Sequence, residues 1–304
     1  MSTQVATAVE VTVPASTANL GSGFDALGMA LSLYDTVNVE VVDGPPGSVR
    51  VDVEGQGAGA VPGDETHLVA RMAHRALADA GTAPPALHLR CRNAIPHSRG
   101  LGSSAAAIVA GVAAGYALAG ISLADKENAD RALQLAAARE GHADNAAASL
   151  FGGFVIAWSE QGRFGATSLR PHPDVLPVAL VPSVESATHT TRGLLPEQVP
   201  HADAAFAAGR AALLVHALTS DPSLLLAATA DRLHQDYREP AWPGTLDLVR
   251  RLRAAGVPAA VSGAGPTVLA LPDAGKIPDG IDLTGFEALR LPVDAEGVRI
   301  AVKG

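Results

Sequence analysis

The chain has 304 residues, of which 48% are hydrophobic and 17% are charged, a composition typical of one large folded domain or two smaller ones. Its 31 acidic residues exceed its 22 lysines and arginines, and the net charge of -9 argues against a nucleic-acid or anionic-membrane partner. The single cysteine, Cys91, excludes an internal disulfide framework. The opening MSTQVATAVEVTVPAS has neither a basic start nor an apolar run, so the expected location is the cytoplasm.

Alternating apolar and polar residues predict strands in the first third of the chain, and a helical pattern lies between two of them. We expect strands at 8–13, 36–42, 49–53 and 86–92, with a helix at 64–80.

A segment rich in serine, asparagine and glycine follows the first strand, which Pro14 is expected to end. Asn19 and Asp25 combine there with Gly21 and Gly23, so hydrogen-bonding side chains meet a permissive backbone. This combination suits a small polar ligand, and an Asx-type turn explains it about equally well.

The stretch PHSRGLGSSAAA, residues 96–107, is typical of a loop that enters a helix. Gly100 and Gly102 can adopt backbone angles closed to other residues, and Ser103 and Ser104 stand where a helix leaves its first amides unpaired. Such amides favour an anion such as a nucleotide phosphate. The spacing matches neither the P-loop nor the dinucleotide fingerprint, so a plain loop with a serine cap remains open.

Residues 100–124 carry no charge and are long enough to cross a bilayer. Alanine and glycine dominate this run, however, and their transfer into lipid is only weakly favourable. We therefore predict a buried helix of small residues in a domain core, and no membrane partner.

A polar cluster in EGHADNAAASLFGG directly precedes an apolar run. Glu140, His142, Asp144 and Asn145 lie within six residues, which indicates a site more than a surface cap. Metal-ligand spacing is not convincing, because the cluster contains one histidine and no cysteine.

A proline-rich segment at 171–177 is the predicted domain boundary, and the second half reads as α+β. Arg192 is expected in a single helical turn, and Arg192 and Arg238 are by default solvated surface charges. The other expected elements are strands at 178–181 and 259–262, helices at 202–217, 223–231 and 246–255, a GAGPT turn at 263–267, and a surface loop at 272–285.

Three stretches, PASTANLGSGFDALG, PHSRGLGSSAAA and SGAGPT, occur in the order and spacing of the motifs of the GHMP small-molecule kinases. The chain resembles that family over its whole length. The segments ANLGSGFDALGMALSLYD and EGHADNAAASLFGG are most similar to those of its homoserine kinase branch.

The resemblance implies an α+β, two-domain GHMP kinase fold. The N-terminal ATP-binding domain, residues 1–170, would resemble ribosomal protein S5 domain 2, and the C-terminal domain, residues 171–304, would be ferredoxin-like. The implied reaction is phosphorylation of the side-chain hydroxyl of L-homoserine in threonine biosynthesis.

The resemblance also implies ATP and Mg²⁺ as cofactors. His67 would help hold adenine, and Ser104 and Glu140 would bind magnesium, because Gln134 stands where some relatives place the carboxylate. The residues implied around the phosphates are Pro96, His97, Ser98, Arg99, Gly100, Leu101, Gly102, Ser103 and Ser104.

For the amino-acid substrate, the resemblance implies that Asp25 faces the ammonium group and that Arg192 and Arg238 hold the carboxylate, as a zwitterion requires. The implied substrate-binding residues are Asn19, Asp25, His142, Asn145, Arg192, Arg238 and Gly263. Of these, Asn19, Asp25, Asn145 and Arg192 are the implied catalytic set.

The chain departs from the family pattern at Ser22 and Ala143, where proline is common, and at His67, where asparagine often holds adenine. Two alternatives stay open: a kinase of another small alcohol, such as a sugar or mevalonate, and a ligand-binding protein without turnover. A homodimer and a role for Asp144 as general base are also left open.

Overall fold

The computed structural model describes residues 6–183 and 191–303, and within them it contains two β-sheets. The strands are β1 (Ala8–Asn19), β2 (Gly23–Val42), β3 (Val49–Gly55), β4 (Ala86–Asn93), β5 (Phe154–Glu160), β6 (Arg163–Leu169), β7 (Val178–Pro182), β8 (Ala259–Val261), β9 (Val268–Ala270), β10 (Phe286–Arg290) and β11 (Arg299–Lys303). The first sheet has seven strands in the order β11-β1-β2-β4-β3; β5 also pairs with β2, and β6 pairs with β5. The second sheet has the order β10-β7-β9-β8 and is antiparallel throughout.

Helices cover the sheets, which confirms the expected α+β class. They are α1 (Leu68–Asp79), α2 (Ser103–Leu118), α3 (Lys126–Glu140), α4 (Asp144–Phe151), α5 (His201–Thr219), α6 (Leu225–Ala228) and α7 (Pro243–Ala254). Short 3₁₀ turns occur at Pro222–Leu224, Asp236–Arg238 and Asp273–Gly275.

The longest ladder joins β1 to β2, and it corrects the expectation that Pro14 ends the first strand. Pro14 pairs with Tyr34, and the register shifts immediately after it, so a bulge lets the strand continue past the missing amide donor. The segment expected to be a loop therefore forms a hairpin that turns at residues 20–22. Asn19 lies just before this turn and Asp25 just after it.

Helix α2 is buried on nearly all sides, as its small uncharged residues predict. A Cβ on Gly111 would lie 2.4 Å from the Val69 carbonyl oxygen, and one on Gly115 would lie 2.4 Å from that of Ala73. The glycines therefore allow α1 and α2 to pack at close range. None of the described helices is long and apolar enough to cross a membrane.

The proline-rich segment at 171–177 separates β6 from β7, and so separates most strands of the two sheets. The exception is β11, which returns to the first sheet and pairs antiparallel with β1, Ala8 opposite Lys303. The division at residue 170 remains a prediction, and a domain built on the first sheet would include β11.

Several elements differ from the expectations. Strands β6, β9, β10 and β11 were not predicted, and the helix expected at 223–231 is reduced to a 3₁₀ turn and the four-residue α6. The helix stops early because the Asp231 carboxylate accepts backbone N–H groups of Leu233, His234 and Gln235.

Candidate active site

The loop at 96–102 lies against the start of the β1–β2 hairpin. The Ser16 amide donates to the Leu101 carbonyl at 3.1 Å. Gly102 has φ +67°, and a Cβ there would lie 2.0 Å from the Ser16 Oγ and 3.2 Å from the Asn145 Oδ1. No larger residue fits this position without displacing both side chains.

The GAGPT turn contacts the same loop from the second sheet. Ser262 Oγ donates to the Gly100 carbonyl at 2.6 Å and lies 2.8 Å from Thr17 Oγ1. The Gly263 amide donates to the Ala18 carbonyl at 3.1 Å. The three sequence motifs therefore meet at one place, although they are distant along the chain.

Helix α2 begins at Ser103, immediately after this loop, and no side chain caps its first amides. They open onto a cleft of about 500 Å³. An anion in this cleft would receive backbone N–H donors and the positive end of the helix dipole. The cleft is lined by Leu68, Ser98, Gly100, Gly102, Ser103, Ser104, Ile108, Arg139, Glu140, His142, Asn145, Arg192, Gly263 and Ala264.

A second cavity of about 310 Å³ adjoins the cleft and shares Ser98, Ser103 and Ser104 with it. Its other walls are largely apolar side chains of β1, β2 and residues 61–69, together with His67. His67 is buried, and its Nδ1 has no hydrogen-bond partner among the described residues. Burial lowers the pKa of His67, so a neutral ring lines this largely apolar cavity, which suits an aromatic base such as a purine.

Asp35, which the sequence analysis did not select, holds the segment that leads into the loop. Its carboxylate accepts the amides of Ala94 and Ile95 at 2.7 and 2.9 Å. Burial raises the pKa of Asp35 to about 6.

Glu140 ends α3 at the edge of the cleft, with Ser104 beside its carboxylate. Burial raises the pKa of Glu140, and its Oε2 is buried without a hydrogen-bond partner among the described residues. Gln134 instead bonds both the amide and the carbonyl of Phe164 in β6. Glu140 and Ser104 thus offer the oxygen ligands that Mg²⁺ prefers, and water and phosphate oxygens would complete the shell. No group of three or more acidic, histidine or cysteine side chains suited to a metal occurs in residues 6–183 and 191–303.

His142 and Asn145 enter the cleft from either side of Asp144, the first residue of α4. His142 Nδ1 lies 2.7 Å from Asp144 Oδ1, and this hydrogen bond raises the pKa of His142 to about 9. The same oxygen accepts the Asn145 amide at 2.7 Å. Asp144 is buried and its Oδ1 accepts both of these bonds, so His142 is held as a cation at the edge of the cleft.

Asn19 is buried and bridges two motifs. Its Nδ2 donates to the Gly263 carbonyl at 2.8 Å, and its Oδ1 accepts the Asp25 amide at 3.0 Å. Both residues have positive φ, +69° for Asn19 and +54° for Asp25. Ser22, between them, donates to the Ala228 carbonyl of α6 at 2.9 Å, so the departure from proline adds an anchor to the turn.

The two arginines of the second half converge on this hairpin. Arg192 is helical, as expected, and its guanidinium forms an ion pair with Asp25. The guanidinium carbons of Arg192 and Arg238 lie 5.8 and 5.7 Å from the centre of the Phe24 ring.

Arg238 corrects the expectation of a solvated surface charge, because only 2% of it is exposed. Its Nη1 contacts His234 Nδ1 at 2.7 Å and the Gly263 carbonyl at 3.4 Å. Its Nε is buried without a partner, and it forms no ion pair with any described residue. A buried guanidinium that forms no ion pair within the described part of the chain is suited to an anionic ligand.

Several residues at the site were not selected from the sequence: Ser16, Phe24, Asp35, Arg139, His234 and Ser262. Ser16, Phe24 and Ser262 lie within the first and third quoted motifs, and Asp35 ends the quoted segment ANLGSGFDALGMALSLYD, so the sequence offered a signal for these four residues. Nothing local distinguishes Arg139 or His234, because their roles depend on contacts with distant parts of the chain.

Comparison with known proteins places this geometry in a family. Residues 67–153 match the family model described as the GHMP kinases N terminal domain. The chain is 50% identical to a homoserine kinase of Streptomyces avermitilis over 297 residues, 97% of this chain and 96% of the relative. It is 52% identical to that of Mycolicibacterium smegmatis over 268 residues, 85% and 83% of the two chains.

Solved structures agree with the sequence relatives. The homoserine kinase from Cytophaga hutchinsonii aligns with a TM-score of 0.84 at 28% identity, covering 97% of this chain and 98% of the other. The mevalonate diphosphate decarboxylase from Enterococcus faecalis, with a TM-score of 0.65 at 15% identity over 97% and 99%, shares the fold. These matches confirm the expected GHMP kinase fold. The chain belongs to the homoserine kinase family of the GHMP kinases.

Proposed function

We propose that this protein transfers the γ-phosphoryl group of ATP to the side-chain hydroxyl of L-homoserine, yielding O-phospho-L-homoserine for threonine biosynthesis. The observation that carries the proposal is the ion pair between Asp25 and Arg192, because Arg192 lines the same cleft as the loop at 96–104, which we call the phosphate loop. Arg238 adds a second guanidinium beside the neighbouring Phe24 ring. A zwitterionic amino acid requires groups of both charges. The curated relatives, which are 50% and 52% identical in sequence, are homoserine kinases.

ATP would place its adenine in the apolar cavity beside His67 and its phosphates along residues 96–104. The free amides at the start of α2 would bind the phosphate oxygens. The loop carries no lysine, but Arg139 lines the cleft and forms no ion pair with a described residue, so it is available to neutralise charge.

Ser104 and Glu140 would hold Mg²⁺, which would supply charge neutralisation on the phosphates. The unpartnered Glu140 oxygen supports this assignment.

The two charged groups of homoserine would displace the ion pair between Asp25 and Arg192. Its ammonium group would bind Asp25. Its carboxylate would bind Arg192 and the Nε of Arg238, which has no hydrogen-bond partner among the described residues. Asn19 would hold Asp25 in place through its bond to the Asp25 amide.

The reacting hydroxyl would lie near Asn145 and the cationic His142, which face the phosphate loop across the cleft. Phosphoryl transfer depends mainly on in-line alignment and charge neutralisation, which these groups supply. No separate base is assigned, since Asp144 is committed to His142 and to the Asn145 amide.

The test is a coupled ADP-release assay with L-homoserine, mevalonate and galactose as acceptors. We expect turnover with homoserine. Turnover only with another alcohol would replace the substrate assignment, and Asp25 argues against mevalonate, which has no ammonium group. ATP binding without turnover of any acceptor would support a ligand-binding protein instead. A two-domain division, a homodimer and a cytoplasmic location stay predictions.

A further inference from the structure

His234 is buried between the hairpin of the first motif and Arg238. None of its surface is exposed. Its Nε2 lies 2.8 Å from the Gly21 carbonyl oxygen, and its Nδ1 lies 2.7 Å from Arg238 Nη1. The ring also stacks on Phe24, with centroids 5.1 Å apart.

These partners fix the proton on the ring. A guanidinium can only donate, so Nδ1 must accept, and a carbonyl oxygen can only accept, so Nε2 must carry the proton. His234 is therefore neutral, and burial, which lowers its pKa, acts in the same direction.

The contact with His234 determines which edge of Arg238 lacks a hydrogen-bond partner among the described residues. Nη1 is occupied by His234 and by the Gly263 carbonyl. Nε has no partner, and Nη2 makes no hydrogen bond to any residue that the structure describes. Nε and Nη2 donate in parallel from one edge of the guanidinium, the fork that a carboxylate accepts through both oxygens.

We propose that His234 is a positioning residue, which holds Arg238 by Nη1 so that its Nε–Nη2 edge receives the substrate carboxylate. This inference rests on the proposed function. Phe24 contributes by stacking on the imidazole, and the Asp231 carboxylate contributes by accepting the His234 amide at 3.0 Å.

Two substitutions test the two hydrogen bonds of the His234 ring individually. His234→Asn places an amide oxygen near the former Nδ1 and keeps an acceptor for Arg238. His234→Gln places an amide nitrogen near the former Nε2 and keeps the donor to Gly21 but not that acceptor. We expect His234→Gln to raise the KM for homoserine about 10-fold or more, and His234→Asn to raise it only a few-fold. The KM for ATP and the melting temperature of the two variants should be similar.

A double variant tests whether His234 acts through Arg238. In an Arg238→Ala background, His234→Gln should change the KM for homoserine less than about 2-fold, since the residue it positions is gone. Independent, multiplicative effects would overturn the proposal, as would equal effects of the two single variants or parallel losses of ATP affinity. Wild-type turnover of homoserine in the same assay separates this result from a failure of the proposed function.

Discussion

Asp25 and Arg192 form an ion pair across the cleft, joining the hairpin of the first motif to the second half of the chain. Half of the Arg192 side chain and a third of that of Asp25 are exposed, at 50% and 32%. Ion pairs in such surroundings contribute about 1 kcal/mol or less, so a ligand with both charges can replace this one at little cost. The two paired side chains therefore supply the opposite charges that the ammonium and carboxylate groups of an amino acid would bind.

Removing either arginine should weaken homoserine binding and leave ATP binding nearly intact. We expect the KM for homoserine to rise about 10-fold for Arg192→Ala and about 100-fold for Arg238→Ala. The larger effect is expected for Arg238 because water screens the attraction between a buried guanidinium and the substrate carboxylate less strongly. Steady-state kinetics with each substrate varied would measure both constants. Arg250→Ala, which removes an exposed arginine paired with Glu239, is the control. Equal losses for both substrates would contradict the assignment.

Asp25→Asn should discriminate between acceptors by their ammonium group. The KM for homoserine should rise about 10-fold or more, because a charge-assisted contact is lost. The KM for 4-hydroxybutyrate, which lacks the ammonium, should change little or fall, because Arg192 is released from its ion pair. A similar rise in KM for both acceptors would show that Asp25 does not act by binding the ammonium group.

Glu140→Gln and Ser104→Ala should raise the magnesium concentration needed for half-maximal activity. A neutral amide is a much weaker ligand for Mg²⁺ than a carboxylate, so we expect the larger effect, about 10-fold or more, from Glu140→Gln. Asp130→Asn, at an exposed position of the same helix, is the matched control. An unchanged magnesium titration in both variants would remove these residues from the metal site.

The glycines of the phosphate loop should not tolerate a methyl group. A Cβ on Gly100 would lie 2.4 Å from the Ser262 carbonyl oxygen, and φ is +79° there. We expect Gly100→Ala to lower stability by about 2 kcal/mol or more, measured by urea unfolding, and to weaken ATP binding. Gly209→Ala, at an exposed position of α5 with open space around it, should instead stabilise by up to about 1 kcal/mol. Equal effects of the two substitutions on the free energy of unfolding would contradict the packing described for the loop.

Asp35 should make stability depend on pH with a defined sign. Its pKa is raised from 3.8 to about 6, so the folded state prefers the protonated form, and this contribution is lost as the pH rises through about 6. The difference between these two pKa values corresponds to about 3 kcal/mol. Relative to Asp35→Asn, the wild type should lose most of this stability between pH 4 and pH 7 in urea unfolding. A constant difference across that range would show that burial does not disfavour the charge.

The local pattern was sufficient for most elements of the fold. Alternation located β3 and β4, and small uncharged residues predicted the buried α2. The expectation at Pro14 was wrong because the bulge that accommodates it depends on Tyr34, which lies in the part of β2 that the local pattern predicts to be a loop. Strand β11 likewise joins β1 through a pairing between the two ends of the chain.

The site was predictable where its residues lie within the motifs. Ser104, His142, Asn145 and Gly263 line one cleft, as the resemblance implies. The burial of Arg238 was not predictable, because a charged residue in a polar segment is solvated unless distant groups enclose it. The groups that enclose it include Phe24 and His234, which a reading of the sequence around Arg238 does not bring together.

The pairing of β11 with β1 also constrains how the protein folds. Strand β1 carries the first motif, and its two partners differ in distance along the chain: β2 follows it directly, whereas β11 lies far away in the sequence. Pairings between distant segments form slowly because a long loop must close first. Until β11 pairs, one side of β1 is an open sheet edge, with unpaired backbone groups that can bind another strand. We therefore expect the ladder between β1 and β11 to form late in folding and to protect the first sheet from aggregation.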